Sequence, residues 1–146
     1  MKILDQQNIT GVAALLIHAA KIDEQYSDDE RSLIKEFINS YLKNDESENI
    51  LKDAEDLEKN SNQLLSFTNI IKKETNDFKS DIIRHLWKII ISDKSVDQYE
   101  SNLMRRICGL IYFPDKMSAE IKLQILNKKW LILLKMNVLN VNLLIV

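Results

Sequence analysis

Apolar residues recur along this chain every three or four positions, the spacing that predicts helices. Val12, Leu15, Leu16, Ala19 and Ile22 share one side of a helix over residues 10–22. Leu33, Ile34, Phe37, Ile38, Tyr41 and Leu42 form a wide stripe on a second. A weaker third runs from Ser47 to Lys59 and carries Ile50, Leu51, Ala54 and Leu57 on its apolar side. Leu64, Phe67, Thr68 and Ile71 come next, then Ile82, Ile83, Leu86, Trp87 and Ile90. Leu103, Met104, Ile107, Cys108, Leu110 and Ile111 mark another helix, and a last one starts near Ser118 with Ile121, Ile125 and Leu126. The expectation is an all-α domain of about seven helices joined by short polar connections. Asn60-Ser61-Asn62 breaks the third helix, with Ser61 as the cap of the next.

The periodic pattern stops near Lys129. From Trp130 to Val146, 13 of 17 residues are apolar, but Lys135, Asn137, Asn140 and Asn142 interrupt them. Leu131, Leu134 and Val138 could continue the last helix, whereas Leu139-Asn140-Val141-Asn142-Leu143 alternates like a strand. The chain therefore divides into a helical domain, residues 1–129, and an apolar C-terminal extension, residues 130–146. Polar groups through the middle of the run argue against a membrane anchor. Three readings stay open: the tail lies in a groove of its own domain, packs on a second subunit, or is an irregular end.

Composition narrows the chemistry. Two glycines and one proline in 146 residues leave too few turn residues for a sandwich or barrel. Gly11 and Gly109 cannot build a phosphate-cradling loop or a dinucleotide turn. The lone Cys108 excludes a disulfide framework and reads as a small core residue. The net charge of −2 does not suggest a nucleic-acid binder. That sum hides an asymmetry: residues 1–60 hold 14 acidic and 7 basic side chains, and residues 61–146 hold 8 and 13. The acids cluster at Asp23 to Glu30 and from Asp45 to Glu58, which reads as solvated helical faces or as a surface that attracts cations. With one cysteine and no signal-peptide pattern at the N-terminus, a cytoplasmic location is the simplest expectation. His18 and His85 read as helix-surface histidines. No nucleophile stands beside a base and an oxyanion donor in a recognisable arrangement, so the expected function is non-enzymatic.

The chain also repeats itself at an offset of 70. Leu16 falls on Leu86, Asp23 on Asp93, Glu30 on Glu100, Leu33 on Leu103, and Phe37 on Ile107. Each half is an apolar helix, an aspartate at its end, a short connection and a helix opening on a glutamate. Two pseudo-symmetric helical hairpins should pack face to face. Ser27-Asp28-Asp29-Glu30 fits a capping box, and in the second copy Asp97 stands for the serine with Glu100 making the return bond. Tyr26 and Val96 precede the caps as hydrophobic staples. Asp23 and Asp93 face the unfavourable end of a helix dipole and need a partner. A turn N–H is one candidate. A divalent cation, calcium or magnesium, is the other, with Asp23, Glu24, Asp28, Asp93 and Asp97 as ligands, although the spacing is not that of an EF-hand.

At this repeat the chain resembles the TerB-like family of tellurite-resistance-associated bacterial domains, whose module also occurs in some membrane-anchored J-domain co-chaperones. The residues that carry the resemblance are Ala20-Lys21-Ile22-Asp23, Ser92-Asp93, the stretch Leu64 to Ile71, Leu86-Trp87, Tyr99-Glu100 with Arg106, and Gly109-Leu110-Ile111-Tyr112. It covers about residues 10–127, and the family's turn glycines are Glu24 and Lys94 here. The resemblance implies an all-helical domain, acidic surface sites for metal ions, and a role in stress-response complexes at the inner membrane. It brings no catalytic residues. The function expected is a scaffold or adaptor domain in tellurite or envelope stress, with protein partners, membrane-associated ones among them, and a homodimer open. A divalent-cation-binding stress protein is the alternative.

Overall fold

The computed structural model describes residues 6–23, 26–42, 46–61, 64–92 and 98–145, with side chains of the last helix described through Met136. Among the described residues seven α-helices follow one another: α1 (Gln6–Ala20), α2 (Asp28–Tyr41), α3 (Ser47–Lys59), α4 (Leu65–Lys72), α5 (Asn76–Ile91), α6 (Gln98–Ile111) and α7 (Asp115–Ile145). A single 3-10 turn, Lys21–Asp23, extends α1. No strand occurs among the described residues.

The first helix departs from its expected one-sided stripe. It begins at Gln6 and is buried nearly all round, with Ile9, Val12, Ala13, Ala14, Leu15, Leu16 and Ile17 fully covered. It is the central rod, contacting α2, α3, α4 and α5. Small residues allow that crowding. A Cβ on Gly11 would come within 2.5 Å of the Ile70 Cδ1 atom, so this position accepts no side chain unless Ile70 moves.

The sequence repeat is larger than a hairpin. In the first half α1, α2 and α3 contact one another pairwise, and in the second α5, α6 and α7 do the same. The offset of 70 places residues 47–59 on 117–129, so α3 corresponds to the opening stretch of α7. The halves meet where α5 packs on α1 and α2, and α4 bridges α1 to α6. One continuous core results, from Ile9 through Phe37, Ile82 and Ile107 to Ile121.

Helix ends carry the main departures from the sequence pattern. Leu64, not Ser61, stands at the N-cap of α4 and makes no side-chain cap bond. The Thr68 hydroxyl, buried in the first turn, shares its proton between the Leu64 and Leu65 carbonyls at 3.3 and 3.2 Å. Thr75 caps α5, accepting from the Phe78 N–H at 3.3 Å. Leu57 of α3, expected on the apolar side, is exposed. Past α6, Tyr112 takes a left-handed φ of 59°, and the Phe113 N–H returns to the Cys108 carbonyl at 2.9 Å. That is a Schellman closure with tyrosine in the place glycine usually takes. The Lys72 ammonium sits 4.7 Å over the Tyr112 ring.

The last helix starts at Asp115, just after Pro114, rather than near Ser118. Ser118 is buried inside it and accepts from the Trp87 indole N–H at 3.0 Å. Nor does α7 turn into a strand: it runs 31 residues, about 46 Å at 1.5 Å per residue. The irregular-end reading is thereby corrected, and the groove reading is corrected over the described side chains. The run is helical rather than irregular, and Trp130 through Leu134 are 41–64% exposed rather than laid in a groove. No helix among the described residues is long and apolar enough to cross a membrane.

Candidate functional site

The acidic connection after α1 ends in a complete capping box at the start of α2. Ser27 takes an extended conformation, φ −79° and ψ 164°, and its hydroxyl oxygen accepts from the Glu30 N–H. Glu30 reaches back and accepts from the Ser27 N–H at 3.1 Å and from its hydroxyl at 3.0 Å. Two backbone donors at a helix start are thus satisfied reciprocally. Glu30 is 1% exposed, and Glu100, its counterpart in the second half, is 4% exposed in the first turn of α6. Tyr26 packs half-buried against the core. Burial, and then the nearby Glu55 carboxylate, holds its hydroxyl above its ordinary pKa.

The proposed ion ligands are only partly on view. Asp23 closes the 3-10 turn, and Asp28 is exposed in the first turn of α2. Glu24, Asp93 and Asp97, the last also proposed as a cap, lie outside the described residues. Among the described residues no three His, Cys, Asp or Glu side chains converge to hold a metal ion.

The structure adds a charge cluster that periodicity did not reveal. The Arg31 guanidinium on α2 donates to Glu48 at 2.6 Å and to Glu55 at 3.1 Å, both on α3, and Lys35 lies 3.2 Å from Glu48. The hydrogen bonds from Arg31, then those from Lys35, hold the Glu48 carboxyl at about 2, below its usual 4.5. Part of the acidic run is therefore a clamp between two helices. The available signal was spacing: Arg31 and Lys35 are four apart on one helix face, and Glu48 and Glu55 seven apart on another.

A cleft of about 750 Å³ opens between the end of α2 and the start of α5. The Tyr41 hydroxyl donates to the Asp81 carboxylate, and the His85 Nδ1 pairs with the Asp81 carbonyl at 2.8 Å. Burial, and then the Asp81 bond, pushes the Tyr41 hydroxyl above its ordinary pKa. Tyr41 stacks at an angle on Phe37, and Phe78 meets Tyr41 edge-on at 5.2 Å. Glu36, Glu74 and Asp77 complete the lining, so the walls are aromatic and the field is negative. His85 is thus tied to its own helix and half-buried.

Cys108 and Trp87 are core residues. Burial pushes the Cys108 thiol up to about 11, so the thiolate is scarce at neutral pH. Trp87 is 5% exposed and packs in the core, whereas Trp130 is 64% exposed.

The largest departure from an ordinary surface is the far half of α7. Trp130, Leu131, Ile132, Leu133 and Leu134 are five consecutive exposed apolar residues, and Met136 follows at 55%. At 100° per residue they cover every side of the helix. Such a helix is usually covered by something.

The comparisons agree with the architecture. The family model described as Tellurite resistance protein TerB matches residues 10–123. No curated protein and no solved structure matches the chain. The matched span runs from within α1 into the first part of α7, taking in both halves of the repeat and stopping before the exposed apolar run. With more than half of its length matched and an all-helical fold, the chain belongs to the TerB family.

Proposed function

We propose that this chain is a non-enzymatic scaffold or adaptor domain of the stress response that gives its family its name, and that the far half of α7 is its docking element. The observation that carries the reading is the exposure of Trp130 to Leu134 on all sides of a helix. An apolar surface of this continuity, left in water, drives association.

The occupant is a second copy of the chain. After Glu120 the sequence has no acidic residue, while Lys128 and Lys129 stand together at the start of the run. Antiparallel pairing of two runs sets each lysine pair at the opposite end from the other. It also lets the apolar turns at Trp130 to Leu134 meet apolar positions of the other copy.

The test compares the full chain with one cut after Lys129, by light scattering and circular dichroism. The expected result is a dimer for the full chain and a monomer of unchanged helical content per core residue for the shorter one. A monomeric full chain would overturn the reading. So would a full chain that stays monomeric and sediments with lipid vesicles, since the occupant would then be a bilayer.

A further inference from the structure

Between the acidic first half and the second lies a basic hollow that the adaptor reading leaves unused. It measures about 490 Å³ and lies where the end of α1 meets α3, α4 and α6. His18, Lys21, Lys59 and Arg106 line it, with Glu58 between the first two and Leu64 and Phe67 as its apolar floor. Residues 1–60 carry twice as many acids as bases, yet two of their lysines meet Arg106 here with one carboxylate.

Glu58 arranges half of this set. Its side chain is 11% exposed, accepts from the Lys21 ammonium at 2.7 Å and lies 3.4 Å from the His18 Nδ1. One carboxylate so placed holds an ammonium and an imidazole side by side and neutralises one positive charge. Lys59 and Arg106 are exposed and make no ion pair among the described residues. Two net positive charges therefore face the hollow, from helices of both halves of the repeat. Arg106, part of the family pattern in the sequence, puts a guanidinium on its wall.

We propose that this hollow binds a phosphomonoester dianion attached to a small apolar body. Charge selects the dianion, because two uncompensated cations match two negative charges. Donor chemistry selects phosphate oxygens, which accept hydrogen bonds from both a guanidinium and an ammonium. The floor of Leu64 and Phe67 selects the apolar body, and the volume is in the range of small-molecule sites. Glu58 positions Lys21 and His18 but repels the ligand, so its removal and the removal of the cations have opposite effects.

The experiment is a calorimetric titration of the full chain with phenyl phosphate. Saturable binding is expected, weakened by about tenfold or more in a Lys59→Gln, Arg106→Gln double variant. The Glu58→Gln variant should bind more tightly, by about threefold or more, because Lys21 and His18 then turn to the ligand. Circular dichroism checks that all three proteins are folded. A phosphoserine peptide that binds more tightly than phenyl phosphate assigns the dianion to a partner's modified side chain, and one that binds no better assigns it to a free small molecule. Lack of saturation by phenyl phosphate, unchanged affinity in the double variant, or weaker binding by Glu58→Gln would each overturn the proposal. Inorganic phosphate binding as tightly as phenyl phosphate would remove the apolar body from it.

Discussion

The two halves of this molecule start from one plan and end differently. In α1–α3 and in α5–α7, an apolar helix carries a second helix and a third on its flank. Both second helices open on a buried glutamate, Glu30 and Glu100. The third helices part company. The first half stops α3 at Asn60, whose N–H closes on Asp56, just before Ser61. At the corresponding places the second half has Trp130 and Leu131, and α7 simply continues. The lesson is that a helix terminus is a local instruction. Remove two polar residues from one copy of a repeat, and a capped core helix becomes a long exposed one.

The largest test of the comparison is in the core. Phe37 and Ile107 are repeat counterparts and both are fully buried. Phe37→Ala should cost about 4 kcal/mol and Ile107→Ala about 3 kcal/mol in denaturant melts. Phe37 should cost more because its ring also stacks on Tyr41 and His85, each at 5.0 Å, so it helps join the halves. A larger loss at Ile107 would reverse the ranking of the two units.

A smaller effect separates the halves by pH. The Arg31 clamp belongs to the first half and holds Glu48 at about 2 rather than 4.5. A carboxyl whose folded pKa is depressed contributes stability that is present above 4.5 and fades as pH falls toward 2. The urea midpoint of the parent chain should therefore drop through that window, and Glu48→Gln should flatten the drop. An unchanged slope in the variant would show that Arg31 does not favour the charged carboxylate.

The smallest test concerns the end of α6. Gly109 is exposed within the helix, and a Cβ there meets nothing within 4 Å. Gly109→Ala should stabilise the chain by about 1 kcal/mol, read as a raised melting temperature. Gly11→Ala in the first half should gain less, because the new methyl group must displace the Ile70 Cδ1 atom. Equal gains from the two identical substitutions would show that α1 is no more crowded than α6.

Much of the fold was legible because periodicity reports one-sided burial directly. The bounds of α3, Ser47–Lys59, follow from its apolar side and from the polar break after it. The course of α7 was not legible, since Leu139 to Leu143 alternates like a strand. Context decides there: a helix already under way adds one hydrogen bond per residue without a new nucleation cost, and after Pro114 no proline or glycine stops it. The charge clusters were the least legible. Arg31 meets Glu48 and Glu55, and Lys21 meets Glu58, only because α3 crosses the ends of α1 and α2 at a particular height. A sequence shows the charges on each helix but not that crossing.

The place of α1 at the centre bears on how the chain is made. This helix leaves the ribosome before α2, α3, α4 and α5, the elements that cover it. Synthesis proceeds at about 5–20 residues per second, so Ile9 to Ile17 wait several seconds for Ile91 to be joined. During that interval the most apolar helix of the domain lacks part of its cover, and a nascent-chain chaperone has its opportunity there.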